Sequence, residues 1–229
     1  MTSSTMRCDT PRDPWGGIPS EQLRQIRSER LHRRIRNSGL PKRWQRSVSS
    51  WHCGANRERE KILAAATRWV ERFGTDEDEG RNLVFVGATG TGKSHLAASM
   101  LYDLAIAGHH VRCEVLSELW GRMRASYSRQ DEEALDYLTP LEGAEIVLLD
   151  ELGSVRPDQP AIRWEADTLR DIINAVLRDG QRLIVTTNHD RATLERWLGD
   201  MSVSRRIFED ASVVDGFGAL GSYREEVRA

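Results

Sequence analysis

The sequence predicts an α/β fold in which a five-stranded parallel sheet lies between two layers of helices. From residue 58 onward, short apolar runs alternate with longer segments whose apolar residues recur at helical spacing. This alternation is typical of a parallel sheet that is covered on both faces. A Gly-rich turn joins the first apolar run to a helical segment. We therefore predict one domain at residues 58–229, preceded by a flexible tail and a basic helical segment at residues 1–57.

The individual elements follow from the same periodicities. Strands are predicted at residues 83–86, 111–116, 145–149, 183–187 and 212–217. Helices are predicted at residues 20–37, 58–73, 117–127, 132–138, 164–178, 191–198 and 203–209, and from the Gly-rich turn to Gly108. Ser117 and Asp190 are expected to cap the helices that follow them, because their side chains accept hydrogen bonds from first-turn N–H groups.

The charge is distributed unevenly along the chain. Residues 1–60 contain 13 Lys and Arg against 6 Asp and Glu, whereas residues 61–229 contain 20 against 29. A basic N-terminal part and an acidic remainder indicate different partners for the two parts. The basic part would bind a polyanion. The alternative is a solvated helix face opposite an apolar one, and its arginines would be Arg24, Arg27, Arg30, Arg33, Arg34 and Arg36.

Composition excludes several classes of protein. The chain is 39% apolar, but no apolar run reaches membrane-spanning length. The N-terminal residues MTSSTMRCDTPRDP lack the apolar stretch of a secretory signal. Cys8, Cys53 and Cys113 are too scattered for a zinc site and fit a reducing compartment. We expect a cytoplasmic protein without a membrane partner.

Residues 87–94 read GATGTGKS, the G-x-x-x-x-G-K-S phosphate-binding pattern. Its glycines let backbone N–H groups face phosphate oxygens, and the following helix adds its positive N-terminus. Lys93 is expected to reach the β- and γ-phosphates of ATP, and Ser94 to ligate Mg²⁺. The predicted nucleotide-binding residues of this loop are Gly87, Ala88, Thr89, Gly90, Thr91, Gly92, Lys93, Ser94 and His95. A Gly-rich turn that binds nothing is the alternative.

Residues 146–152, IVLLDEL, form an apolar strand that ends in two adjacent carboxylates. Asp150 at a strand end suits Mg²⁺ coordination, directly or through water. Glu151 beside it can activate the water that attacks the γ-phosphate. An ordinary surface turn after a strand is the alternative.

Two further stretches carry candidate catalytic residues. In LIVTTNHD, residues 183–190, Thr187 or Asn188 would orient the attacking water, although both residue types also end strands in ordinary turns. In SRRIFED, residues 204–210, Arg205 and Arg206 lie on a predicted helix. A guanidinium there can neutralise charge on the transferred phosphoryl group, in cis or from a neighbouring subunit. Two solvated arginines are the alternative.

Taken in this order, the motifs resemble those of AAA+ ATPases of the DnaC helicase-loader and IstB transposition-helper group. The matching stretches are GATGTGKSHLA, IVLLDELGSVRP, LIVTTNHD and LGDMSVSRRIFEDASVVDGFGALGSYR. GLPKRW, residues 39–44, resembles a short motif that precedes the ATPase core in these proteins. The resemblance covers most of the chain, from Glu29 to Arg224.

The resemblance implies an AAA+ (ASCE) P-loop NTPase that uses ATP and Mg²⁺. Lys93 and Ser94 correspond to the Walker A ligands, and Asp150 and Glu151 to the Walker B pair. Asn188 corresponds to sensor 1. Arg206 corresponds to the arginine finger, with Arg205 as the near alternative. Trp51 and Asn56, in WHCGAN, correspond to the segment that lines the adenine pocket. Because the chain ends soon after Arg224, we expect no C-terminal helical lid and assign no sensor 2 arginine.

The resemblance also implies a nucleic-acid surface. Residues 117–130 lie where related initiator ATPases carry an additional helix that follows single-stranded DNA. Arg122, Arg124 and Tyr127 combine positive charge with a stacking ring, as a single-strand groove requires. An amphipathic helix with its apolar residues in the core is the alternative.

The leading functional hypothesis is an ATPase that loads a replicative, DnaB-like helicase onto single-stranded DNA. We expect the helicase to dock through the N-terminal segment, because the excess of positive charge is confined to residues 1–60. The resemblance implies self-association into an ATP-dependent oligomer. A transposition helper that binds double-stranded DNA and a transposase is the alternative within the group. A small-molecule P-loop kinase belongs to another class, but the Arg-rich lid segments common in such enzymes are missing. A nucleotide-gated binding module with little turnover is disfavoured by Glu151.

Overall fold

The computed structural model describes residues 20–54, 56–129, 138–141, 143–153, 163–178, 180–199, 201–221 and 223. The helices are α1 (Ser20–Asn37), α2 (Arg57–Arg72), α3 (Lys93–Ala107), α4 (Leu116–Arg129), α5 (Arg163–Arg178), α6 (Arg191–Leu198) and α7 (Met201–Phe208). The strands are β1 (Asn82–Val86), β2 (Val111–Val115), β3 (Ile146–Leu152), β4 (Arg182–Thr187) and β5 (Ala211–Val214). The helix predicted at residues 132–138 falls outside the described residues, apart from Leu138.

The five strands form one parallel sheet in the order β2-β3-β4-β1-β5, which confirms the predicted sheet. β4 lies between β1 and β3, so the carboxyl ends of these three strands are neighbours at one edge of the sheet. The Gly-rich loop follows β1, and Asn188 follows β4. The acidic pair lies at the end of β3. Ligands of parallel α/β sheets bind at this edge.

Helices cover both faces of the sheet and form two apolar cores. On one face α3 packs beside α2 and is buried over most of its length, with Leu96, Met100 and Leu101 fully buried. On the other face α4, α5, α6 and α7 bury the second core against the sheet. In the described part of the chain, no helix is long and apolar enough to cross a membrane.

The connection between α1 and α2 packs into the first core. It contains two short 3₁₀ helices, Lys42–Trp44 and Val48–Ser50. Leu40, Val48 and Trp51 are buried there together with residues of α2 and α3. The boundary predicted between residues 57 and 58 therefore lies within a continuous core.

Two sequence predictions are corrected by the structure, and one strand has the bounds of its motif. The third strand spans Ile146–Leu152, as the IVLLDEL stretch predicts, rather than residues 145–149, and its register is irregular between Leu149 and Leu152 where it pairs with β4. Ser117 does not cap α4, because the helix already begins at Leu116 and the Ser117 hydroxyl bonds elsewhere. The last strand ends at Val214, and residues 216–219 form a 3₁₀ helix that buries Phe217. The predicted Asp190 cap is confirmed by a hydrogen bond from the Thr193 N–H.

Candidate nucleotide-binding site

The Gly-rich loop leads into a helix N-terminus that is not capped by any side chain of the described residues. Gly92, directly before α3, has a φ of 99° and makes no side-chain cap hydrogen bond, and the first turn contains no acidic residue. The N–H groups of this turn are available to an anion, which the helix dipole also favours. A Cβ at Gly92 would lie 3.1 Å from the rings of Trp51 and Tyr223. The position thus requires glycine for its φ and for the space behind the loop.

A cleft of ≈ 830 Å³ opens above this loop, within the usual size range of small-molecule sites. Loop and helix residues form its floor, namely Ala88, Thr89, Gly90, Gly92, Lys93, Ser94 and His95. Glu151 of β3 and the residues at the end of β4 form one wall. Gly87 and Thr91 complete the loop behind this floor, where the Thr91 hydroxyl donates to the Ala88 carbonyl at 2.9 Å.

Lys93 lies at the centre of the loop and is only 6% exposed. Its Nζ donates to the carbonyl oxygens of Gly87 and Ala88, both at 2.7 Å, and to Asn188 Oδ1 at 3.0 Å. Burial lowers the pKa of Lys93 to about 8, against the opposing attraction of the neighbouring carboxylates. The ammonium is thus poorly solvated and held by weak neutral acceptors, which a phosphate can replace with full negative charge.

We expect the affinity for ATP to fall as the pH rises above about 8, because the free Lys93 then loses its charge. A phosphate raises the pKa of the lysine that it contacts, so binding must take up a proton where that lysine is neutral. The decline should approach tenfold per pH unit at high pH, and Kd measured by calorimetry from neutral to alkaline pH would show it. Lys93→Arg is the control, because its guanidinium stays charged throughout. A flat wild-type profile would contradict the expectation.

Asp150 is fully buried at the end of β3. Its Oδ1 accepts a hydrogen bond from the Thr186 hydroxyl at 2.5 Å, while its buried Oδ2 has no partner among the described residues. Burial raises the pKa of Asp150, and the neighbouring hydroxyls of Thr186 and Ser94 oppose the rise. A buried carboxylate oxygen without a partner, beside a hydroxyl and the phosphate loop, fits a Mg²⁺ ion that takes its other ligands from phosphates and water.

Glu151 has an unusual backbone conformation. Its φ is 62°, the only positive φ among the described non-glycine residues, and this region costs roughly 1–2 kcal/mol for an L-residue. Its N–H donates to Thr186 Oγ1 at 3.0 Å, and its Oε2 accepts from the Ser117 hydroxyl at 3.1 Å. The irregular register of β3 leaves Glu151 exposed at the cleft while Asp150 stays buried. Backbone strain of this kind clusters at functional sites.

Asn188 joins the strand edge to the phosphate loop. Its Oδ1 accepts from Lys93, and its Nδ2 donates to Thr89 Oγ1 at 3.1 Å. Because β4 lies between β1 and β3, the amide is placed between the phosphate loop and the acidic pair. The structure thus brings the predicted Lys93, Ser94, Glu151 and Asn188 to one cleft, with Asp150 directly beneath it.

Several cleft residues were not predicted. Thr186 contacts both acids through one hydroxyl, and His189 lies beside Asn188 at the end of β4. Arg43, Trp44, Arg46 and Tyr223 form the remaining wall. The GLPKRW motif was the available signal for the first two of these, but nothing in the sequence connects it with the phosphate loop.

Trp51 and Asn56, the predicted adenine-pocket residues, do not line this cleft. The Trp51 ring is 2% exposed and stacks on Tyr223 at 5.4 Å, with Nε1 donating to the Gly92 carbonyl at 3.3 Å. It supports the loop from behind. The Asn56 side chain caps α2 by accepting from the N–H groups of Glu58 and Arg59. Its amide oxygen is therefore engaged in a structural contact.

The predicted arginine finger lies outside the cleft. Arg206 is exposed on α7, and its Nη1 donates to Asn174 Oδ1 on α5 at 2.6 Å. Arg205 forms an ion pair with Glu209 at 3.0 Å. Among the described residues, no carboxylate pairs with Arg206, so its charge is not neutralised locally. Neither arginine approaches the phosphate loop of its own chain.

The predicted DNA-contacting residues lie on α4, and two of them pair with buried carboxylates. Arg122 bonds to Glu114 at 2.7 Å, and Arg124 lies 3.7 Å from Glu165. Both arginines stay half exposed. Tyr127 is within the helix, but its side chain lies outside the described residues. The apolar residues of α4, among them Leu119 and Trp120, are buried in the second core.

The strand order, the phosphate loop and the acidic strand end define a P-loop protein of the AAA+ fold. The family model for the IstB-like ATP binding protein matches residues 21–223, and the chain belongs to this family. The replicative helicase loader DnaC of Buchnera aphidicola subsp. Schizaphis graminum is 24% identical over 194 residues, which are 83% of this chain and 75% of that protein.

Solved structures show the same fold. A crystal structure of the DnaC helicase loader superimposes with a TM-score of 0.63 at 23% identity and covers 76% of this chain and 99% of that one. AMPPCP-bound DnaA from Aquifex aeolicus superimposes with a TM-score of 0.59 at 16% identity, over 77% of this chain and 50% of that one.

Proposed function

We propose that the protein is an ATPase that loads a replicative helicase onto single-stranded DNA, with hydrolysis coupled to assembly and release. The observation that carries the ATPase part is the position of Glu151, whose carboxylate faces the cleft that also holds Lys93 and Asn188. The loader part is supported by the family and by the curated relatives named as replicative helicase loaders.

The hydrolytic mechanism follows from what each side chain can do in this cleft. The phosphates of ATP accept from the N–H groups of the loop and of the first turn of α3, and Lys93 exchanges its carbonyl partners for the β- and γ-phosphate oxygens. Asp150 and Ser94 would hold Mg²⁺, which would withdraw charge from the phosphate oxygens. Asn188 orients the attacking water.

Glu151 accepts a proton from that water as the new P–O bond forms and the bond to the leaving ADP breaks. In this structure its carboxylate accepts a hydrogen bond from Ser117. Thr186 holds the backbone N–H of Glu151 and the carboxylate of Asp150 at the same time, so the two acids are positioned together. Productive water activation needs Glu151 Oε2 to leave Ser117 or Oε1 to serve as the base.

The helicase is proposed to dock on the N-terminal segment. Helix α1 carries six arginines against two glutamates, and its described side chains before Leu31 are all exposed. Ile26, an apolar residue in the first half of this helix, remains 38% exposed. An exposed helix with a basic and an apolar side is suited to a protein partner.

Removing residues 1–36 is expected to abolish capture of a replicative helicase and to preserve ATP binding. This truncation keeps Ser38 and Leu40, which are buried in the core, and removes only α1 and the residues before it. Capture is measured by co-purification of a DnaB-type helicase with the full chain and the truncated chain, each with ATP and with ADP. Nucleotide-dependent thermal stabilisation reports whether the truncated core is folded.

Undiminished capture by the truncated chain would contradict the docking assignment. No capture of helicase by the full chain, together with retention of a transposase on double-stranded DNA, would favour the transposition helper. That second candidate is kept because the family description is IstB-like.

A further inference from the structure

A second cleft, of ≈ 770 Å³, lies at the β2 edge of the sheet, apart from the nucleotide site. It separates the C-terminal half of α1 from β2 and the turn before β3. Its basic lining residues are Arg30, Arg33, Arg34, Arg36, His110 and Arg112, and no carboxylate is among its described lining residues. We call it the basic cleft.

The basic cleft is held in shape by hydrogen bonds from β2 to backbone carbonyls at the end of α1. The Cys113 N–H donates to the Ser38 carbonyl at 2.6 Å, and Arg112 Nη1 donates to the Asn37 carbonyl at 2.5 Å. Gly39 has a φ of 74°, and a Cβ there would lie 2.6 Å from the Cys113 carbonyl oxygen. Only glycine permits this close approach, which fixes the direction in which α1 leaves the core.

The arginines of α1 differ from those of the rest of the surface. Elsewhere many are neutralised within the chain, as Arg72, Arg81 and Arg182 are by acidic neighbours. In the described residues, Arg33 and Arg36 form no ion pair or hydrogen bond to a carboxylate, and both are exposed. Positive charge that the chain does not neutralise, on the wall of a preformed cleft, attracts an external anion.

We propose that the basic cleft binds the phosphate backbone of a nucleic-acid strand. Arg30, Arg33 and Arg36 are spaced by three residues, about 4.5 Å of helix rise per step, so they offer a row of cations to a repeating polyanion. Guanidinium groups bind phosphate oxygens with two parallel hydrogen bonds. Protein interfaces concentrate their binding energy on buried apolar and aromatic residues. The described lining of the basic cleft is mostly basic, so it fits a phosphate backbone better than a protein surface.

The basic cleft and the surface of α4 are linked by Glu114, whose carboxylate contacts an arginine on each side. Glu114, 6% exposed, accepts from Arg112 Nε at 3.3 Å and from Arg122 Nη2 at 2.7 Å. Arg112 lines the cleft and Arg122 lies on α4, so the two surfaces meet at the β2 edge. A strand bound along α1 would therefore lead to the surface of α4. The inference rests on the proposed function only in naming single-stranded DNA as the ligand.

The test compares two matched double variants of the full chain. Arg33→Gln with Arg36→Gln removes two charges from the cleft, and Arg24→Gln with Arg27→Gln removes two exposed charges from the same helix outside it. Gln has a helix propensity close to that of Arg. Binding of a fluorescent oligo-dT is measured by anisotropy over a range of salt concentrations, with a duplex of mixed sequence as a second probe.

The cleft variant is expected to bind oligo-dT about tenfold or more weakly at low salt, with a log–log salt slope shallower by roughly 0.7 per lost contact. The control variant should bind as the wild type does. Equal losses in the two variants, or no loss in either, would overturn the proposal. Unchanged binding of DNA with lost helicase capture would assign the cleft to an acidic protein partner instead.

The failure of this proposal is separable from failure of the proposed function. ATP-dependent thermal stabilisation should be unchanged in the cleft variant, since the nucleotide cleft contains neither Arg33 nor Arg36. Helicase capture is measured separately, because α1 is also the proposed docking helix. A cleft variant that loses DNA in a protein that never captures helicase would leave the phosphate site standing and remove the loader function.

Discussion

Glu151→Gln is expected to bind ATP as tightly as the wild type and to hydrolyse it at least about a hundredfold more slowly. The amide preserves the shape of the side chain and its contact with Ser117, but it cannot accept a proton from water at neutral pH. Affinity is measured by calorimetry with the non-hydrolysed analogue AMPPCP, and turnover by release of phosphate under single-turnover conditions. The two readouts separate binding from chemistry.

Two further variants show whether the effect belongs to this carboxylate. Glu118→Gln makes the same chemical change at an exposed position of α4 that does not line the cleft, and it should leave turnover unchanged. Asp150→Asn should instead weaken Mg²⁺-dependent binding, because it replaces the buried oxygen that fits the cation. Hydrolysis at the wild-type rate by Glu151→Gln would remove the assigned role.

The parts of the site that could be predicted from the sequence are those encoded within one short stretch. The phosphate loop, the acidic strand end and the polar end of the next strand each carry their signal in adjacent residues. The parallel order of the strands then brings these ends together, because β4 lies between β1 and β3. The placement of Lys93 and Asn188 in one cleft could therefore be predicted from local pattern and general topology.

The rest of the site depends on contacts between residues distant in the chain, which no local pattern records. Tyr223 reaches the loop through its N–H, which donates to the Gly90 carbonyl at 2.8 Å, and through its ring, which stacks on Trp51. Trp44 and Arg46 reach the cleft only because the connection after α1 packs on α3. The resemblance implies that Trp51 lines the adenine pocket, and the sequence alone does not distinguish an aromatic residue that faces a ligand from one in the core.

The left-handed backbone conformation of Glu151 could not be predicted from the sequence either. The apolar pattern of residues 146–149 indicates a regular strand, and an alternating continuation predicts opposite faces for Asp150 and Glu151. It does not predict a left-handed residue inside the strand. The Thr186 hydroxyl on the neighbouring strand stabilises this conformation by accepting from the Glu151 N–H, a contact across 35 residues of sequence.

Arg206→Ala is expected to lower ATP turnover by about a thousandfold while leaving ATP binding in place. Lys93, Asp150 and Asn188 follow neighbouring strands and converge on one nucleotide cleft. Arg206 lies on α7 outside that cleft, exposed, and bonded to a neutral amide rather than to an acid. A guanidinium so placed cannot act on its own phosphate loop, but it can act on the γ-phosphate held by a neighbouring subunit. Hydrolysis would then require assembly, and turnover per subunit should rise with protein concentration and with single-stranded DNA.

Mixing experiments separate action between subunits from damage within one. Arg206→Ala and Lys93→Ala proteins should each be inactive alone. The first lacks the arginine that would act on the neighbouring subunit's ATP, and the second does not bind ATP. In a mixture, an Arg206→Ala subunit can hold ATP next to a Lys93→Ala subunit that still supplies Arg206, so part of the activity should return. Arg205→Ala is the matched control, because its guanidinium is paired with Glu209 and is not assigned to the interface. Full activity of Arg206→Ala with loss in Arg205→Ala would transfer the role to Arg205. Inactive single variants that regain no turnover at any mixing ratio would instead show that hydrolysis does not depend on an arginine from a neighbouring subunit.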